Sequence, residues 1–366
     1  MLKMLRHKPV LLVILLVFCN AANCTAAEGS SRWLVSPKLL EHADLEILWE
    51  NKLPIKSSET LGRLFILGNR IYALSDRNYM ASMNREKGNV IFGRSIAEAG
   101  FPVLGLELYK DELFSIIGNR LVEINPEFGT QRSAKRLTFG IVCPAARNSS
   151  HFYLGGVDKR MHALRAEDKV HVFKAAAEND SMITSIVADE NFVVFATEAG
   201  NVVSIAPDKA KRLWQFEAAG GIVGPIVRGG DSLFFASKDT NIYRIKVRTG
   251  KFVWKYQTAA IPDSGPRVTQ KVVYQYVRDE GLVAIDRSSG ELIWQWAEGI
   301  DLLAEANGKT YVITNTSKLV VMDNKKAKQL YSVNFAGVSR YAANVSDSKI
   351  YIADKTGRIA CLKPIK

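Results

Sequence analysis

Cysteine is scarce, with four in 366 residues. Cys19 and Cys24 sit near the start, which leaves Cys143 and Cys361 for a folded body. Those two fall at different depths of different sequence repeats, so a disulfide between them is not expected. Nor can four cysteines so spaced build a structural metal site. They read as buried, apolar-like thiols. The signatures HExxH, GxxxxGK[ST], GxGxxG and GxSxG are missing, and with them the usual marks of zinc peptidases, P-loop enzymes, dinucleotide binders and serine hydrolases. No CxxCH is present to carry a haem. Helix-rich blocks are absent too. The longest early apolar run, Val10 to Phe18, is nine residues, too short to span a bilayer comfortably.

Acids are lacking from the first 27 residues, where Lys3, Arg6 and Lys8 make a basic start before that apolar run. Small residues follow, Ala21 to Ala27. The segment 1–27 therefore reads as a secretory signal peptide. Two processing routes fit. Thr25-Ala26-Ala27 suits cleavage before Glu28. Alternatively Cys24 is a lipidation site, although Ala21-Ala22-Asn23 is a weak lipobox. Either route, like an uncleaved anchor, places the chain outside the cytoplasm, in the periplasm or on a bacterial envelope membrane. Residues 28–44 are expected to be extended.

What the sequence has is a period. Lys238 to Trp254 returns 40 residues later as Arg278 to Trp294, and Trp214, Trp254 and Trp294 keep that step. An aromatic strand recurs around Tyr72, Phe114, Tyr153, Phe195, Phe235, Tyr274, Tyr311 and Tyr351, which makes eight copies. Pro102, Pro144, Pro225 and Pro266 keep the same beat at the start of an opening strand, where a proline costs no ladder bond. Strands are short, and turns such as Gly118-Asn119, Gly200-Asn201 and Thr249-Gly250 bound them. Four strands per unit of this length predict an all-β, eight-bladed propeller of four-stranded antiparallel blades over 45–366.

The two ends complete each other. Repeat eight stops at Cys361-Leu362-Lys363 without a tryptophan strand, whereas Leu45 to Glu50 is a tryptophan strand with no unit before it. Trp49's strand is predicted to join the last blade, close the ring and remove an exposed sheet edge. Trp49, Trp214, Trp254 and Trp294 are read as structural, packed between neighbouring sheets.

The stretch Gly281-Leu-Val-Ala-Ile-Asp-Arg-Ser-Ser-Gly-Glu-Leu-Ile-Trp294 resembles the repeat of the pyrroloquinoline-quinone (PQQ) type β-propellers. The match is strongest in repeats four to six. Elsewhere Phe92, Phe173 and Tyr331 stand near the tryptophan position. The GH…WD pairing of WD repeats is missing. The resemblance implies one of two classes. Its enzymes bind PQQ and Ca²⁺ at the ring's centre, and they look longer, with inserted segments and often an adjacent cysteine pair, which this chain lacks. Its non-enzymes are envelope lipoproteins of outer-membrane assembly, similar to this chain in length and blade number. The resemblance thus implies a non-catalytic envelope scaffold with no cofactor, neither PQQ nor calcium. Its partners would be envelope proteins, among them an outer-membrane assembly complex, and the chain is expected to be a monomer. A PQQ-dependent oxidoreductase and a sensory or carbohydrate-binding propeller are the alternatives.

Candidate chemistry is sparse. His162 and His171 lie nine residues apart across a turn, and His42 and His151 stand alone; all are expected to be packed or solvated. Asp279-Glu280 offers two acids on one turn, while Ca²⁺ wants about six or more oxygens. Asn125, Asp286 and Asp323 share a template position from which a side chain can cap the turn it begins. Charge is more informative, with a formal net of +12. Six-residue windows over the turns between third and fourth strands total +6, whereas windows over the opposite face's turns total zero. This predicts a basic rim of Lys209, Lys211, Arg212, Lys246, Arg248, Lys251, Lys325, Lys326 and Lys328, suited to an acidic partner or an anionic membrane. Nucleic acid is not expected, because no stacking motif accompanies the charge. Strand addition by a partner is a further binding mode.

Overall fold

The aromatic strand of every repeat lies at the heart of a four-stranded antiparallel sheet. The computed structural model describes residues 33–365, and within them stand eight such sheets. Blades one to seven span 61–95, 103–136, 146–175, 183–217, 222–257, 267–296 and 299–334. Blade eight joins Arg340–Ala342, Ile350–Ala353 and Arg358–Pro364 to Leu45–Lys52. The predicted closure is there: Ile47 pairs with Leu362 and Trp49 with Cys361, across a bulge.

The first strand of each blade lies innermost, where first strands of neighbouring blades meet around the axis. The eight predicted aromatics, from Tyr72 to Tyr351, are all at most 2% exposed. They fill the spaces between blades, so each core cluster is shared by two sheets. The fourth strands are outermost and largely exposed, Gln131–Arg136 above all.

Inner and outer ties join blade to blade. Inside, the Arg340 Nε donates to the Leu61 carbonyl at 2.9 Å, and Arg63 to that of Val103 at 2.8 Å. Arg267 pairs with Asp301 at 3.0 Å. Outside, each of the four tryptophans Trp49, Trp214, Trp254 and Trp294 reaches over the next blade. Its indole donates to the Arg85 carbonyl from Trp49, to that of Val247 from Trp214, to that of Arg287 from Trp254, and to Asn324 Oδ1 from Trp294. Gly88, Gly250 and Gly290 lie beneath the first three rings, at φ of 66–80°. There a Cβ would be strained and would also strike the indole.

The segment expected to be extended over 28–44 differs within its described part. Pro37–Glu41 is one helical turn. Pro37 at its start pre-sets the backbone, and Leu40 turns inward with Leu34, Val35 and Ala43 onto the core of blades seven and eight. Burial of those four side chains outweighs a short segment's weak helix preference. The signal segment 1–27, with Cys24, lies outside the described residues.

Candidate functional site

The predicted rim falls into two groups. Lys209, Lys211 and Arg212 border the outer turn of blade four, and Lys246, Arg248 and Lys251 that of blade five, next to it. Lys325, Lys326 and Lys328 belong to blade seven, beyond blade six's turn with Asp286 and Glu291. All nine are exposed except half-buried Lys246.

Nearby acids cancel part of the charge. Lys246 meets Asp231 at 2.6 Å, Lys209 lies 3.8 Å from Asp208, and Arg212 pairs with Glu178. The Lys246 ammonium, with the Ser232 hydroxyl, holds the Asp231 carboxyl down at about 2. Asp231 lies in a turn between first and second strands, on the rim's own face, so a charge count confined to the third-to-fourth turns misses it. Lys211, Arg248, Lys251, Lys325, Lys326 and Lys328 form no ion pair among the described residues.

The remaining sequence candidates are structural in their surroundings. Asn125, Asp286 and Asp323 each accept two backbone N–H groups from the turn they open. Glu280 accepts from the Ala259 amide. The His162 ring stacks on Phe139 at 3.6 Å and bonds Asp158 at 2.9 Å. Its centroid is 5.4 Å from that of His171, edge to face. Burial lowers both imidazoles' pKa values. Among the described residues no three His, Cys, Asp or Glu side chains gather to hold a metal.

One site was not visible in the sequence. A cavity of about 550 Å³ opens where the inner strands of blades two to five meet. Blade three's inner strand is only Ala146–Arg147, against eight residues in blade five. Pro144 just before it has no N–H to extend the ladder. The inner strands of blades two and five bulge at Gly105 and Gly224, at φ of +69° and +64°. A Cβ on Gly105 would lie 2.8 Å from Pro144, so glycine permits that approach. Glu107 follows the first bulge and lines the cavity. Burial pushes its carboxyl up to about 7, since removal from water disfavours the charged form.

Apolar side chains, including Leu108, Ile186, Pro225 and Ile226, make most of the wall. Arg147 borders it with its guanidinium already engaged. It pairs with Glu112, lies 3.6 Å from Glu123, and sits between the rings of Phe152 and Tyr109 at 4.4 and 4.9 Å. PQQ is a tricarboxylate, and a wall offering a carboxyl and an occupied guanidinium does not fit it.

Known proteins share this architecture. The BamB crystal structure from Moraxella catarrhalis superposes with a TM-score of 0.67 at 13% identity, covering 87% of this chain and 97% of that one. The computationally designed Ika8 protein gives 0.66 at 12%, covering 85% and 98%. At these identities the likeness is one of fold. By sequence, the chain is 22% identical over 233 residues to the outer membrane protein assembly factor BamB of Shewanella oneidensis, an alignment spanning 57% of each. It is 24% identical over 149 residues to that of Burkholderia pseudomallei, spanning 39% of each. The family model described as outer membrane protein assembly factor BamB matches residues 118–261 and 238–365, more than half of the chain. This chain belongs to the BamB family of β-propellers.

Proposed function

We propose that this chain is a non-catalytic scaffold of the bacterial envelope that serves outer-membrane protein assembly. The observation that carries the reading is the family match over residues 118–365 on a closed eight-bladed ring. The amino-terminal reading agrees with it. The signal-like segment 1–27 would export the chain to the periplasm, where it is cleaved before Glu28 or lipidated at Cys24. No cofactor is assigned, and the chain acts as a monomer.

The unpaired part of the rim, Lys211, Arg248 and Lys251 on adjacent blades with Lys325, Lys326 and Lys328 on blade seven, is the assigned contact for an acidic partner surface. Charge of one sign on adjoining turns raises association rates and makes binding salt-sensitive.

The test is affinity purification from the envelope with mass spectrometry. Components of the outer-membrane barrel-assembly machinery should co-elute. Reversal of Lys211, Arg248 and Lys251 to glutamate should weaken their capture and flatten its salt dependence. Absence of every such component from the eluate refutes the assembly role. The PQQ-dependent oxidoreductase alternative predicts turnover of an artificial electron acceptor after addition of PQQ and Ca²⁺; none is expected.

A further inference from the structure

Two polar groups in the cavity between blades two and five have no partner. Glu107 makes no hydrogen bond or ion pair among the described residues, and burial is the sole cause acting on its carboxyl. The Thr184 hydroxyl, on blade four's inner strand, is buried with no hydrogen-bond partner. Both residues line the same space, and most of their neighbours there are apolar. A half-buried carboxyl without a partner, at a wall that is mostly apolar, costs free energy that folding has to offset. Such a group, at the wall of a cavity within the size range of ligand sites that an orphaned hydroxyl also lines, has the makings of a binding site whose charge partner arrives with the ligand.

We propose that this cavity binds a primary ammonium group carried on an apolar stem, with the Glu107 carboxylate as counter-charge and the Thr184 hydroxyl as a second acceptor.

The chemistry selects that class. An ammonium offers three donors, which the carboxylate oxygens and the hydroxyl can accept. A guanidinium brings five, and this wall would leave more of them unmet. A hard divalent cation asks for about six oxygens. An anion would meet a carboxylate with no free positive charge beside it. The stem would lie along Leu108, Ile186, Pro225 and Ile226, where its burial is favourable. Of the lining residues only Glu107, Tyr109 and Arg147 carry an ionisable side chain. Tyr109 gives its hydroxyl to Glu190 at 2.5 Å, and Arg147 is held by Glu112 and Glu123. Glu107 is thus the one free ionisable group of the wall. The proposal goes beyond the assembly role and does not depend on it.

The ammonium could be a free alkylamine or a lysine side chain of another protein, and the test separates the two. The purified full-length chain is titrated by NMR at pH 8 with n-pentylamine and, as the neutral control, n-pentanol. A second arm uses the peptide acetyl-Leu-Lys-Leu-amide and its Nε-acetylated form. At least one amine should bind ten or more times tighter than its neutral control. Glu107→Gln should remove that preference while the circular dichroism holds and the melting temperature does not fall, and Thr184→Val should weaken amine binding several-fold. Affinity should fall about tenfold from pH 8 to pH 6 as the carboxyl takes up a proton. Binding of pentylamine alone identifies a free amine as ligand, and binding of the peptide identifies a protein lysine. If neither amine is preferred over its control, or Glu107→Gln binds amines as well as the wild type does, the proposal is wrong.

Discussion

The indole of Trp49 lies over Gly88, with its Nε1 donating to the Arg85 carbonyl at 3.2 Å. Trp49 belongs to blade eight and Gly88 to blade one, so this contact holds the two ends of the ring together. Gly88 sits at φ +70°. Gly88→Ala should therefore strain the turn and push the indole out, at a cost of at least about 1–2 kcal/mol. Trp254 is 6% exposed, and Trp254→Ala should cost about 3–5 kcal/mol, the usual range for a lost buried aromatic. Half-buried Trp214, replaced in the same way, should cost less. Denaturant unfolding checks all three. An unchanged midpoint for Trp254→Ala would contradict its packing role.

The seam between blades two and three breaks the pattern in both members at once. Ser133 pairs with Glu123 in the register that elsewhere holds a tryptophan, phenylalanine or tyrosine. Opposite, the glycine position of the turn is Lys169, at φ +58°. Lys169 lies over Phe152 and reaches Glu123 at 2.7 Å, and Ser133 donates to the same carboxylate. The Lys169 and Glu123 side chains are only 12% and 14% exposed. Removal of one charge strands the other in low dielectric, so Glu123→Ala should destabilise by about 3–5 kcal/mol. The double change Glu123→Leu with Lys169→Met should be far milder. A double-mutant cycle reads the difference as coupling.

Glu107 makes stability depend on pH. Its carboxyl titrates near 7 when folded, above the ordinary 4.5. The folded chain thus holds the proton more tightly. Its contribution is fully present below about pH 4.5 and is lost as pH rises through 7. Glu107→Gln should be more stable than the wild type at pH 8, by about 1–3 kcal/mol, and the gap should close near pH 5. Melting curves of both proteins across that window measure it. A gap that does not change with pH would count against a buried carboxyl.

Cys143 and Cys361 are free and buried, and burial pushes their thiols up to about 11 and about 12. With Cys19 and Cys24 replaced by serine, the native chain should react with Ellman's reagent at pH 8 only on unfolding, because the thiolate is the reactive form. Rapid labelling of the native chain would show that one of the two sites opens.

The fold was legible because its information is local and repeated. Each aromatic from Tyr72 to Tyr351 sits in a short strand between turn residues, and each copy supports the others. The seam at Ser133 could have been noticed as a missing aromatic, but its filler, Lys169, lies in the next repeat and looks like an ordinary solvated lysine. Nor did the turn at Pro37–Glu41 carry a readable signal, since the core beneath it belongs to blades distant in sequence.

The sequence by itself determined the blade count, the strand order within each blade and the borrowed closing strand. Those follow from a period of about 40 residues and from two ends that are each incomplete. Only the tertiary structure decided which charges survive on the rim and where a cavity forms. Lys246 is neutralised by Asp231 from another turn of the same face. Glu107 is a carboxylate in an alternating strand until the bulge at Gly105 and the shortened strand at Ala146–Arg147 bring four blades around it. Periodicity governs the side-chain pattern within a strand. Charge pairing and desolvation depend on neighbours that the chain brings together only when the ring is built.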